Sequence, residues 1–176
     1  MGHKICFYTA IILENSVHTG GKMAQQGSVL IVDDELGPRE SLRMILKPLY
    51  EVKTASTGNE ALRYLQEGKI DLITLDLKMP GLSGMDVLRE IKRMKVDVAV
   101  IIITAYGTLT NAHEAIRYGA IDFISKPYNA TDILSVVRRT VEQRQYHSKM
   151  KGLMESFEGV GGMEGKKTEI EKFLNN

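Results

Sequence analysis

A single cysteine, Cys6, excludes an intramolecular disulfide framework and a zinc site built from thiolates. No charge of one sign dominates. The 23 basic and 22 acidic residues leave a formal net charge of +1, and no basic stripe alternates with aromatics, so nothing global points to nucleic acid. Long hydrophobic runs are missing too. The stretch Ile5 to Leu13 is too short to span a bilayer and is interrupted by Cys6, Tyr8 and Thr9. Lys4 precedes that stretch as in a signal peptide, but no small-residue cleavage site follows before Glu14-Asn15-Ser16. Met1 and Met23 are both candidate starts, the second making residues 1–22 an upstream extension. There is no G-x-x-x-x-G-K-[ST] phosphate loop, no internal repeat and no evident helix-turn-helix after Tyr146. His113 and His147 have no second histidine at metal-binding spacing and read as surface residues. What is left is room for one domain with a full core and short extensions, in a chain whose one cysteine fits a reducing cytoplasm.

From Ser28 onward short apolar runs alternate with helical periodicity, the pattern of βα units around a parallel sheet. The spacing predicts strands at Val29–Val32, Glu51–Ala55, Leu72–Leu75, Val98–Ile103 and Ile121–Ile124. The third and fourth are almost wholly apolar, as strands covered on both faces are. Helices are expected at Pro38–Leu49, Gly58–Gln66, Ser83–Met94 and Thr108–Tyr118, with a fifth from about Ala130. Pro38 suits a first helical turn, and Thr57-Gly-Asn-Glu60 reads as a capping box. Gly68 and Gly119 stand where helices should stop in a left-handed cap. Right-handed crossovers then put helices on both faces of a five-stranded sheet. Past Glu142-Gln-Arg-Gln145, the residues Tyr146, Met150, Leu153 and Phe157 recur near seven-residue spacing. A short coiled coil and a solvated helix fit this equally well. Gly159–Gly165 is linker-like, and Thr168–Leu174 has room for a helical turn or two. The chain thus divides into an extension at 1–27, one domain at 28–144, and a helical extension or linker at 145–176.

The chemistry gathers at strand tips. Val29-Leu-Ile-Val32 runs into Asp33-Asp34, Leu72–Leu75 into Asp76, and Val98–Ile103 into Thr104-Ala105, while Lys126-Pro127 follows a further apolar run. Groups at that edge of an open parallel sheet meet where ligands bind. Three carboxylates in one depression repel one another and need positive charge to stay ionised. A hard divalent cation such as Mg²⁺ suits an all-oxygen site, and Lys126 adds a fixed charge. Such a pocket can receive a phosphoryl group, with a carboxylate as nucleophile. The new charge needs donors, for which Thr104 and Lys126 are the candidates; Ala105 leaves room for its approach. Any one of these tips alone reads as a helix cap or solvated turn. Only the four together, in order, carry the functional reading.

The segments Val29-Leu-Ile-Val-Asp-Asp-Glu35, Leu75-Asp-Leu-Lys-Met-Pro-Gly81, Ile103-Thr-Ala-Tyr106 and Asp122-Phe-Ile-Ser-Lys-Pro127 resemble the receiver domain of bacterial two-component response regulators. The resemblance spans about Ser28 to Arg144. Thr104-Ala-Tyr-Gly107 and the Ala120-Ile-Asp-Phe123 run look most like the nitrogen-regulatory, enhancer-binding subgroup, whose ATPase and DNA-binding parts have no counterpart motif here. The resemblance implies a flavodoxin-like, doubly wound α/β fold with five parallel strands in order 2-1-3-4-5. It makes Asp76 the phosphoacceptor, Asp34 a direct Mg²⁺ ligand, and Asp33 a ligand acting largely through water. The Lys78 carbonyl becomes the third protein ligand, Thr104 the switch hydroxyl, Lys126 the phosphate-binding lysine and Phe123 the switch aromatic. It also implies a cis Lys126-Pro127 bond. Lys78 and Tyr106, each two residues beyond a functional tip, would flank the path of attacking water and set phosphate lifetime.

The expected function is therefore a cytoplasmic, phosphorylation-activated signalling switch rather than an enzyme. It would take its phosphoryl group from a sensor histidine kinase or a small donor, and lose it slowly to water. Output would pass through a face made by the fourth helix, fifth strand and fifth helix, as homodimerisation or partner binding, with no direct contact to nucleic acid or membrane. The alternative is a receiver-like dimerisation or interaction module that is never phosphorylated. A haloacid-dehalogenase-type phosphohydrolase is disfavoured because Lys78 stands where that chemistry needs a second aspartate.

Overall fold

A computed structural model describes residues 26–158. Five strands form one parallel sheet in the order 2-1-3-4-5: β1 (Ser28–Val32), β2 (Glu51–Ala55), β3 (Leu72–Leu75), β4 (Ala99–Thr104) and β5 (Asp122–Ser125). The helices are α1 (Leu36–Leu46), α2 (Gly58–Glu67), α3 (Gly84–Met94), α4 (Leu109–Arg117) and α5 (Ala130–Glu158). This is the doubly wound architecture expected from the sequence.

Alternation along the strands explains the layering. Leu30, Val32, Ile73, Leu75, Val100 and Ile102 point to one face and pack with Ala61, Leu65, Val87, Leu88, Ile91 and Ala115 from α2, α3 and α4. Val29, Ile31, Leu72, Ile101 and Ile103 point to the other and meet Leu42 and Leu46 of α1 with Ile133, Val137 and Val141 of α5. Every residue of β3 and β4 is buried, which is why these runs show no polar alternation. Each fully buried leucine or isoleucine here is worth about 1.5–3 kcal/mol over its exposed state. In register, Val32 lies beside Leu75 and Leu75 beside Ile102, so β1 and β3 end level while β4 runs two residues further, to Thr104.

Several element ends differ from expectation. Helix α1 begins two residues before Pro38, at Leu36, and stops at Leu46. There the amides of both Leu49 and Tyr50 turn back to the Leu46 carbonyl, which closes the helix three residues early. Strands β4 and β5 each lie one residue further along than expected, so Thr104 is the last residue of β4 and not the residue after it. The Thr57 hydroxyl accepts from the Glu60 amide (3.2 Å), but Glu60 reaches back one residue further, to the Ser56 amide (2.8 Å). Gly68 is extended (φ −160°), so no left-handed cap ends α2. Gly119 does adopt positive φ (100°), and so, unexpectedly, does Lys95 (54°) after α3.

Helix α5 runs unbroken for 29 residues, through the division drawn at residue 145. Asn129 starts it, its Oδ1 accepting from the Asp132 amide at 2.8 Å. Arg144 pins its middle to the lower edge of the sheet, donating from Nη1 to Asp97 Oδ1 at 2.7 Å. Beyond that point Tyr146 is exposed. The linker-like 159–165 segment, the 168–174 segment and residues 1–25 lie outside the described residues.

Candidate functional site

The C-terminal ends of β1, β3 and β4 deliver Asp33, Asp76 and Thr104 to one edge. A common local device then aims each side chain. The Glu35 amide donates to Asp33 Oδ1 (2.9 Å), the Lys78 amide to Asp76 Oδ1 (3.2 Å), and the Tyr106 amide to Thr104 Oγ1 (3.2 Å). In each case the donor is two residues on, the turn that Asp and Thr side chains favour where a chain leaves a strand. Each tip is also tied to its neighbour: the Asp76 amide donates to the Val32 carbonyl (2.9 Å) and the Asp33 amide to the Ala55 carbonyl (3.2 Å).

Asp33, Asp34 and Asp76 each bring a carboxylate oxygen within 4.8 Å of the other two, and they are the metal-competent cluster found among the described residues. Asp33 and Asp76 are buried, at 2% and 7% exposure; Asp34 is half-buried and makes no side-chain hydrogen bond or ion pair among the described residues. Lys126 enters from the end of β5, where its amide donates to the Thr104 carbonyl (2.8 Å). Its Nζ lies 2.7 Å from both Asp33 Oδ2 and Asp76 Oδ2. Burial works against the ammonium, but the hydrogen bonds it donates to Asp33 and Asp76 outweigh it and raise its pKa above the ordinary lysine value. The Lys126-Pro127 bond is cis. Arg39 adds a further contact, donating from Nη1 to the Asp33 carbonyl (2.6 Å).

The donor set fits a hard cation. Three carboxylates face one ammonium, which leaves a formal charge of −2 for a divalent ion to neutralise, and every available donor is oxygen. Two of the three acidic groups are already oriented by backbone amides, so little reorganisation is needed.

Lys78 and Tyr106 leave the tips of β3 and β4 on exposed loops and meet: Lys78 Nζ donates to Tyr106 Oη at 2.6 Å. That hydrogen bond is the main cause of the raised pKa of Lys78. Phe123 is half-buried and packs against the α2–α4 side of the core. The loop after Thr104 presses on it: a Cβ on Gly107 would stand 2.3 Å from Ser125 Oγ and 3.6 Å from Phe123 Cε1. His113 and His147 are both exposed.

One position escaped notice in the sequence. Gly84, the first residue of α3, lies against the Asp76 carbonyl, and a Cβ there would be 2.0 Å from that oxygen. A glycine inside an otherwise helical pattern was the available signal, since it costs about 1 kcal/mol relative to alanine and needs a packing reason.

The chain is similar to known proteins. Sporulation initiation phosphotransferase F of Bacillus subtilis is 35% identical over 112 residues, which are 63% of this chain and 90% of that protein. The DNA-binding transcriptional regulator NtrC of Azospirillum brasilense is 32% identical over 115 residues, 65% of this chain but 24% of the relative. This chain thus covers only about a quarter of that larger regulator. The crystal structure of the signal receiver domain of a LuxO repressor protein from Vibrio parahaemolyticus superposes with a TM-score of 0.68 at 32% identity, covering 70% of this chain and 96% of that one. The family model for the response regulator receiver domain matches residues 29–138, from the first strand into α5. The chain belongs to the response regulator receiver domain family.

Proposed function

We propose that this receiver domain accepts a phosphoryl group on Asp76 from a sensor histidine kinase, or from a small donor such as acetyl phosphate, with Mg²⁺ bound by Asp33, Asp34, Asp76 and the Lys78 carbonyl. The convergence of three carboxylates within 4.8 Å, two of them bridged by Lys126, carries this reading. An Asp76 oxygen attacks phosphorus as the bond to the donor nitrogen or oxygen breaks, and the leaving group takes the electron pair. Mg²⁺, when bound, supplies positive charge to the transferring oxygens. Lys126 then turns one hydrogen bond from a carboxylate to the phosphoryl group. The Thr104 hydroxyl, which now only accepts from an amide, has a proton to donate to a phosphoryl oxygen.

The rest follows from crowding. Movement of Thr104 draws the loop that holds Gly107, and Gly107 cannot shift without disturbing Ser125 and Phe123. Phe123 turns inward, and the face formed by α4, β5 and α5 changes shape. Exposed Leu109, Ile116 and Ile121 give that face apolar surface for a second copy or another partner. The protein is a switch and not a turnover enzyme, and it works in the cytoplasm with its kinase; no helix among the described residues is long and apolar enough to cross a membrane. We place the receiver unit at 28–144, with 1–27 and 145–176 as extensions, and assign it no DNA contact of its own.

Size-exclusion chromatography with light scattering tests the output. With Mg²⁺ and beryllofluoride, the protein should change its self-association or its elution. An unchanged profile together with no labelling by acetyl phosphate would instead support a constitutive interaction module.

Lys78 and Tyr106 screen the phosphoryl group from water. Loss of either side chain in Lys78→Ala or Tyr106→Ala should speed dephosphorylation by about fivefold, the worth of roughly one hydrogen bond. The double variant should be no faster than the singles multiplied would suggest, and slower than that product if the shared bond matters. Phosphate-release kinetics decide this; an unchanged rate in both single variants contradicts it.

A further inference from the structure

We infer that Gly84 is a positioning residue for phosphoryl acceptance: its missing side chain lets the first turn of α3 rest on the Asp76 carbonyl and so fixes where the Asp76 carboxylate points. A Cβ at this position would lie 2.0 Å from the Asp76 carbonyl oxygen, and 2.8 Å from both the Asp76 carbonyl carbon and Leu77 Cα. All three obstacles are backbone atoms, so no change of rotamer relieves them. The contact is also bonded, since the Gly84 amide donates to the Leu77 carbonyl at 3.0 Å.

Which side would yield is set by anchoring. Helix α3 buries Val87, Leu88 and Ile91 in the core, at 0%, 1% and 5% exposure. Its start is capped by Ser83 Oγ, which accepts from the Asp86 amide at 3.2 Å. The loop after β3 is held less continuously: Leu77 and Met79 are buried, at 7% and 6% exposure, but Lys78, Pro80 and Gly81 are exposed. A methyl group at residue 84 therefore displaces Asp76–Lys78. That segment carries the nucleophile, the amide that orients it and the carbonyl assigned to Mg²⁺. Relief of so close an approach needs a shift of about 1 Å, and misplacement on that scale costs on the order of 100-fold in rate.

Gly58 supplies the control. It too is crowded, with a Cβ there falling 2.6 Å from Val87 Cγ2 and 2.9 Å from the Leu82 carbonyl, but its contacts join α2 to α3 and to Leu82 in the loop before it, and involve none of the residues assigned to phosphoryl transfer.

The experiment compares the full chain with Gly84→Ala, Gly58→Ala, Ser83→Ala and Asp76→Asn. It measures labelling from radioactive acetyl phosphate with Mg²⁺, Mg²⁺ affinity by calorimetry, and thermal unfolding. Gly84→Ala should label about 100-fold more slowly and bind Mg²⁺ more weakly, while Gly58→Ala unfolds at lower temperature yet labels within about threefold of the parent. Should Gly84→Ala fail to fold, Ser83→Ala decides. It frays the same first turn with a cap loss small enough to leave the chain folded, and should slow labelling about fivefold. Equal losses in the two glycine variants, a Gly84→Ala rate within threefold of the parent, or an unchanged Ser83→Ala rate each overturns the inference. The inference rests on Asp76 as acceptor, and the Asp76→Asn arm separates the two: label persisting there removes the acceptor assignment whatever Gly84 does.

Discussion

Lys126→Met is expected to lower the unfolding free energy by about 3 kcal/mol at neutral pH in metal-free buffer, the low end of the 3–5 kcal/mol that breaking a buried ion pair costs. The side chains of Asp33, Asp76 and Lys126 are 2%, 9% and 14% exposed, so the two carboxylates left behind would face each other with little water to separate them. The low end applies because the pocket opens to solvent through Asp34 and the loop after β3. Added Mg²⁺ should close much of the gap, since it brings positive charge to the same carboxylates. The pH dependence of the gap comes from Lys126. The folded-state pKa of Lys126 is raised, so its stabilisation is complete below the ordinary lysine value of 10.5 and is lost as pH climbs through the raised one. Parent and variant should therefore converge only above about pH 10.5. Urea unfolding at a series of pH values checks this; a loss under about 1 kcal/mol at pH 7 would mean the ammonium does not hold the pocket together.

Asp34→Asn should have the largest effect on the cation. Asp33 is shared with Lys126 and the Glu35 amide, and Asp76 with Lys126 and the Lys78 amide. Asp34 has no such partner, which leaves its oxygens available to a metal. Loss of groups that merely support ligands typically costs 10–100-fold in metal affinity, so loss of this carboxylate should weaken Mg²⁺ binding by at least about 100-fold. Stability in the absence of metal should hold or rise, because one of three like charges has gone. That pairing of weaker binding with undiminished stability separates a ligand from a structural cap. Calorimetric titration reads the first and thermal unfolding the second. Unchanged Mg²⁺ affinity would remove Asp34 from the site.

The strand tips were legible in the sequence because burial on both sheet faces leaves β3 and β4 almost wholly apolar up to their ends, with Thr74 inside β3 the exception. The order of strands came from the resemblance, and register then brought Asp33 beside Asp76, with Thr104 one residue beyond their level on β4. Other features were out of reach. Gly68 and Gly119 look alike in the chain, yet only Gly119 uses positive φ, since the choice depends on how the following strand is entered. Pro38 marked the first turn of α1 but not its first residue. The Lys78–Tyr106 bond depends on side-chain conformations across 28 residues of sequence separation, which no local pattern encodes. Gly84 was visible only as a poor helix former, because the backbone it approaches belongs to another element.

The most direct test of the account is peptide mapping by mass spectrometry after the intact chain is treated with acetyl phosphate and Mg²⁺. One phosphoryl group should appear on the peptide holding Asp76, depend on Mg²⁺, and be absent from Asp76→Asn. Phosphoryl incorporation that survives undiminished in Asp76→Asn, or that maps to a different residue of the parent, would contradict it.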